Sequence, residues 1–195
     1  MIRERLYPRG FSYPAVAPLP FDGFGWRSDA QVFADVIRET QPTLILEVGT
    51  WLGASARHMA RLAPQAHIVA IDTFLGSEWH WLRPEYVDMR ETVYPQFISN
   101  VIHEKLTTQI TPLPLDSVNA YHVLRHLGAV ADLIYIDGGH TFESVSMDIE
   151  CYRRLLRPGG IMLLDDAQID SVRRAAEARL GRCETQNEKL IWSAS

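Results

Sequence analysis

Six short apolar runs separated by stretches of helical spacing limit this chain more than any other feature. They are Leu44–Val48, Ile68–Ile71, Ile110–Leu113, Leu133–Ile136, Ile161–Leu164 and Leu190–Trp192. Strands that alternate with helices build βαβ units, so the expected fold is α/β, a mostly parallel central sheet with helices on both faces. Three of the runs are nearly all apolar, as strands covered on both sides should be.

The helical stretches carry their own signals. Ser28-Asp-Ala-Gln31 reads as a capping box, and Phe33, Val36 and Ile37 fall on one face of the helix it would open. After Ile136, the residues Val145, Ile149, Tyr152 and Leu156 recur at helical spacing, and Pro158-Gly-Gly is expected to end that helix. A length of 195 residues suits one core and is short for two. We therefore expect an N-terminal arm over residues 1–27 and a single domain over 28–195. The arm is rich in proline and aromatics, including Tyr7, Phe11, Tyr13, Phe21, Phe24 and Trp26. It resists regular structure yet has apolar surface to lay over the domain, as a lid or as a contact in a homo-oligomer.

Charge and composition exclude some partners. The net charge is −5 and the basic residues are scattered, without the stripe a phosphate backbone demands, so nucleic acid is not expected. No run approaches the roughly 20 apolar residues that span a bilayer, and Met1-Ile-Arg-Glu-Arg5 lacks the apolar core of a signal peptide. No membrane association and a cytoplasmic location are expected. Cys151 and Cys183 lie far apart, which fits reduced thiols and excludes a cysteine-built zinc site.

In an open parallel sheet, ligands sit beyond the carboxyl ends of the strands, so the residues just after each run bear on function. The first such turn is Glu47-Val-Gly49-Thr50-Trp51-Leu-Gly53, whose two glycines let the backbone bend sharply and approach a ligand. It is not the G-x-G-x-x-G of a dinucleotide site, which counts against a nicotinamide or flavin cofactor. The second run ends in Asp72. A carboxylate there can accept hydrogen bonds from two vicinal ribose hydroxyls, or it can simply cap the following turn.

These residues resemble class I S-adenosylmethionine-dependent methyltransferases, whose first motif reads acidic-x-Gly-x-x-x-Gly, matched by Glu47, Gly49 and Gly53. The resemblance implies a Rossmann-like fold and S-adenosylmethionine in the turn, with Thr50 and Trp51 beside it. It makes Asp72 the ribose acid, with Thr73 next to it, and it puts Asp116 and Ser117 at the adenine.

The fourth and fifth runs end in Asp137-Gly-Gly-His140 and Asp165-Asp166. Three carboxylates in one cleft repel one another, and a divalent cation would relieve them as hard oxygen ligands. Alternatively, Asp137 meets cofactor or substrate directly and the aspartate pair caps a helix. The spacing, with Asp165 and Asp166 standing 28 and 29 residues after Asp137, resembles metal-dependent O-methyltransferases of the catechol type and of the bacterial sugar and macrolide type. That resemblance implies a metal, Mg²⁺ first, held by Asp137, Asp165 and Asp166. His140 stands where the catechol type has a lysine base. An imidazole there can take the hydroxyl proton, orient Asp137 or contact the substrate. Asp137 and His140 are thus the expected catalytic residues. The cation eases deprotonation of an acceptor hydroxyl, and the oxygen attacks the sulfonium methyl in line.

Trp79, His80 and Trp81 lie between the second and third runs and are expected either to stack on a small-molecule acceptor or to fill the core of their own insertion. The leading expectation is transfer to a hydroxyl of a sugar, phenol or other natural product. Metal-independent transfer to nitrogen or oxygen on the same fold is the alternative, followed by a non-catalytic cofactor-binding module.

Overall fold

The computed structural model describes residues 1–14, 18–23, 30–86 and 91–194. In chain order, α1 (Ile2–Leu6) and α2 (Ala30–Thr40) precede β1 (Leu44–Val48), α3 (Ala54–Leu62) and β2 (His67–Ile71). Next come α4 (Glu78–Trp81), α5 (Val93–His103), β3 (Ile110–Leu113), α6 (Ser117–His126) and β4 (Ala131–Ile136). The chain ends with α7 (Phe142–Tyr152), β5 (Leu156–Leu164), α8 (Asp170–Leu180), β6 (Glu184–Gln186) and β7 (Lys189–Ser193). All seven strands form one sheet in the order β3-β2-β1-β4-β5-β7-β6. Strands β1 to β5 are parallel, and β7 and β6 close the far edge antiparallel.

The sheet is buried on both faces because strand side chains alternate with a period of two. Leu46, Val48, Val69, Ile71, Ile134, Ile136, Met162 and Leu164 pack with α6, α7 and α8. Their neighbours Ile45, Ile68, Ala70, Leu133, Tyr135, Ile161 and Leu163 pack with α2, α3 and α5. This is the expected doubly covered α/β sheet, and each of the six apolar runs lies inside a strand.

Three local expectations come out differently. Strand β6 has no apolar run to announce it, being Glu184-Thr-Gln186, half-exposed at the sheet's edge. Pro158-Gly-Gly does not stop a helix. Helix α7 ends at Tyr152, a 3-10 turn covers Arg153–Leu155, and Pro158 to Gly160 lie inside β5, where pairing with β4 slips between Ala131 and Leu133. Leu156 continues the helical stripe by spacing alone, but Pro158 could not join a helix there, and the residue before a proline favours extended backbone. The capping residues Ser28 and Asp29 lie outside the described residues, although the helix they were expected to open does form, with Phe33, Val36 and Ile37 buried.

The described part of the N-terminal arm departs from the expected lack of regular structure, since it opens with the short helix α1. It runs along β3, the sheet's other edge. Tyr7 Oη donates to the Pro112 carbonyl at 2.7 Å and Tyr13 Oη to the Ile110 carbonyl at 2.9 Å. Carbonyls two residues apart point the same way off a strand, so these two tyrosines satisfy the outward row of an edge that, among the described residues, no further strand covers. Further on, the Leu19 and Asp22 amides donate to Ser99 Oγ and Asn100 Oδ1 of α5. Among the described residues, no helix is long and apolar enough to cross a membrane.

Candidate functional site

Strand register alone brings the site together. Val48 pairs with Ile71 on one side and with Ile136 on the other, and Ile136 pairs with Leu164. One residue further on, the strand ends present Asp72, Gly49, Asp137 and Asp165 in a single row across β2, β1, β4 and β5. The ladder carries on through that row, with Gly49 N bonding the Ile71 carbonyl, Asp137 N the Val48 carbonyl and Asp165 N the Ile136 carbonyl. The strand order reverses between β1 and β4, the place where such sheets open a crevice.

Gly49 is required there by space. A Cβ on it would stand 2.1 Å from the Asp137 carbonyl oxygen, and its φ is +88°. A Cβ at Gly53 would meet the Phe97 ring at 2.8 Å. Three non-glycine residues around this row also adopt left-handed backbone: Trp51 (φ 49°), Phe74 (φ 57°) and Asp166 (φ 59°). Each such residue costs roughly 1–3 kcal/mol and persists only where its surroundings fix it, which is common at ligand sites.

Asp72 fixes two of these residues. Its Oδ2 accepts from Trp51 N at 2.8 Å and its Oδ1 from Phe74 N at 2.7 Å. Burial pushes its carboxyl up, against the pull of those amides. Thr73, beside it, is exposed. Glu47 lies beneath the turn, fully buried, and accepts from the hydroxyls of Thr50 and Ser55. Burial raises its pKa to about 7, with the two hydroxyls acting in the opposite sense. Glu47 and Thr50, both expected beside the cofactor, therefore support the glycine turn from within. Asp116 caps α6, accepting from the amides of Val118 and Asn119 and from Asn119 Nδ2. Ser117 is the first residue of that helix.

At the chemistry end, the three aspartates have different partners. One donor atom each from Asp137, His140 and Asp166 lies within 4.8 Å of the others. His140 Nε2 stands 2.8 Å from Asp166 Oδ2, and this contact holds the Asp166 carboxyl below its usual range. Burial, with Asp165 and Asp166 alongside, drives the Asp137 carboxyl well upward. Asp165 is engaged elsewhere. Its Oδ1 receives Lys189 Nζ at 2.5 Å and the Asp166 amide at 2.9 Å, while its Oδ2 receives Tyr135 Oη at 2.5 Å. The same tyrosine hydroxyl lies 3.1 Å from Asp137 Oδ2.

Sequence reasoning missed Lys189 and Tyr135. Tyr135 precedes Asp137 by two residues and so shares its face of β4, a signal the sequence does hold. Lys189 needed the antiparallel register of β7 on β5. Leu190 pairs with Leu164, which sets Lys189 beside Asp165.

The β2–α5 insertion holds the three expected acceptor residues in unlike settings. His80 is buried, stacked on Trp51 at 4.4 Å with 19° between the rings, and its Nδ1 meets the Ser77 hydroxyl at 2.8 Å. Trp79 and Trp81 are exposed, and the Arg83 guanidinium lies 3.7 Å above Trp79. The insertion is therefore joined to the cofactor turn through the Trp51–His80 stack.

A search of curated proteins by sequence gives no match. Solved structures match across most of the chain. The O-methyltransferase TomG from Streptomyces achromogenes, involved in tomaymycin synthesis and solved with S-adenosylmethionine, superposes with a TM-score of 0.64 at 16% identity, over 85% of this chain and 79% of that one. A putative caffeoyl-CoA O-methyltransferase from Staphylococcus aureus gives 0.64 at 17% identity, over 84% and 81%. The O-methyltransferase from Bacillus cereus in complex with S-adenosylhomocysteine gives 0.62 at 16% identity, over 100% and 88%. Identities this low establish a shared fold. The family assignment rests on the sequence itself, because a methyltransferase-domain model matches residues 46–167, from the glycine turn through the aspartate pair. The chain thus belongs to the methyltransferase-domain family and carries the class I S-adenosylmethionine-dependent methyltransferase fold.

Proposed function

We propose that this protein transfers the methyl group of S-adenosylmethionine to a hydroxyl of a small molecule, assisted by a divalent cation, Mg²⁺ first. The observation that carries the proposal is the row across the strand ends: a glycine turn and a ribose-type carboxylate on β1 and β2 directly adjoin carboxylates and an imidazole on β4 and β5. An electrophilic methyl held over Gly49 would lie next to the groups suited to receive an acceptor's proton.

The chain's own residues have distinct tasks. Gly49 and Gly53 let the backbone come close to the cofactor, and Asp72 fixes the turn while keeping acceptor capacity for ribose hydroxyls. Asp137, His140 and Asp166 supply two carboxylates and an imidazole, a donor set suited to Mg²⁺ or Mn²⁺. A cation bound there lowers the cost of forming an oxyanion from the acceptor hydroxyl. With His140 among the cation's donors, the proton is received by a carboxylate oxygen of the cluster that the cation does not use, with Tyr135 orienting Asp137. The exposed Trp79 and Trp81 offer apolar surface to the acceptor beside the turn.

One observation favours a second reading, transfer without a metal: Lys189 already neutralises one of the three carboxylates. Calorimetry with S-adenosylmethionine, with and without Mg²⁺, followed by a methyl-transfer screen over phenols and sugar nucleotides, tests both. Cofactor binding with turnover abolished by a chelator is the expected result. Turnover that ignores the chelator selects the metal-free reading, and absence of cofactor binding ends both.

A further inference from the structure

Lys189 is fully buried, 1% exposed, at the start of β7. Its ammonium lies 2.5 Å from Asp165 Oδ1 and 5.7 Å from the ring centroids of Phe33 and Tyr135. Removing a lysine charge from water is costly and is tolerated only with a close counter-charge. Here that counter-charge is one of the very carboxylates the sequence assigns to a metal. Asp165 already accepts three hydrogen bonds, two on Oδ1 from Lys189 and the Asp166 amide and one on Oδ2 from Tyr135, and the close-set donor group is Asp137, His140 and Asp166. Asp166 is turned by its left-handed backbone toward His140.

Resting on the cation-assisted reading above, we propose that Lys189 is a positioning residue that withholds Asp165 from the cation. The cation is then taken by Asp137, His140 and Asp166 in place of the three aspartates. Three carboxylates and one ammonium leave two negative charges, which a divalent ion balances. The Tyr135 hydroxyl, shared between Asp165 and Asp137, transmits the position fixed by Lys189 to the Asp137 carboxylate. The imidazole makes the donor set softer than all-oxygen, so Mn²⁺ is expected to bind more tightly than Mg²⁺.

The test is Mn²⁺ binding to the full-length chain, read from the loss of the free-ion electron paramagnetic resonance signal with S-adenosylhomocysteine present. His140→Ala and Asp166→Asn should each weaken Mn²⁺ tenfold or more, whereas Asp165→Asn, which removes a charge but no donor, should weaken it less than fivefold. Lys189→Met keeps the apolar stem and removes the charge. It should tighten Mn²⁺ fivefold or more by freeing a carboxylate and removing a like charge, a gain that a merely structural lysine would not give. Lys189→Met with Asp165→Asn should lose that gain. Asp165→Asn weakening Mn²⁺ as much as Asp166→Asn, or Lys189→Met binding no more tightly than the unmodified chain, overturns the proposal. If circular dichroism shows Lys189→Met unfolded, the Asp165→Asn result decides alone. An unmodified chain that takes no Mn²⁺ also overturns it, while calorimetry with S-adenosylhomocysteine on the same sample reports separately whether the cofactor reading stands.

Discussion

Asp72 holds two amides of two left-handed residues, so one carboxylate shapes both the β1 turn and the β2 exit. Replacing it with alanine should raise the dissociation constant for S-adenosylmethionine tenfold or more, about 1.4 kcal/mol. Calorimetry checks this, with the melting temperature of Asp72→Asn as a control for loop damage, and unchanged affinity removes the ribose role. Glu47 gives a second expectation at this scale. Its pKa in the fold, about 7, lies above the ordinary 4.5. The folded state therefore favours the protonated form, and the associated stability, present below about pH 4.5, is lost as pH rises through 7. Glu47→Gln mimics the protonated form at every pH. Its stability relative to the unmodified chain should grow between pH 5 and 8 by up to about 3 kcal/mol, read from urea midpoints. Parallel curves would show that Glu47 titrates as an ordinary glutamate.

Among the elements, the edge strand and the arm explain one another. Strand β3 carries Pro112, which has no N–H to give and so suits an edge, and its outward carbonyls are taken by tyrosines of the arm. Tyr7→Phe with Tyr13→Phe keeps the rings and removes both donors. We expect it to cost about 1–3 kcal/mol in all, since net contributions near 1 kcal/mol per hydrogen bond are typical. Chemical denaturation measures the loss, and a double variant as stable as the parent would show that these two bonds add nothing to the arm's hold on the edge. Proline and aromatic content pointed to an arm with apolar surface to lay over the domain. That it covers β3 was not legible, because Tyr13 and Ile110 are 97 residues apart.

For the whole molecule, the sheet order makes the site. Parallel strands in register deliver Asp72, Gly49, Asp137 and Asp165 side by side, and the antiparallel return of β7 adds Lys189 from the other direction. His67 shows how the same core responds to acid. Burial lowers its pKa from 6.5 to about 4, beside Thr111 Oγ1 at 3.0 Å. The associated stability is present above pH 6.5 and is lost as pH falls through 4, the reverse of Glu47. The two therefore oppose each other between pH 4.5 and 6.5.

The sequence by itself determined the α/β alternation, the glycine turn and the aspartates at the strand ends. Each is a local pattern, fixed by side-chain period, steric freedom or position after an apolar run. Which carboxylates share a cleft with His140, and which one answers a lysine, was decided by the tertiary structure alone. A side chain's direction past a strand end depends on neighbouring strands, and Lys189 became Asp165's partner only through the pairing of β7 with β5.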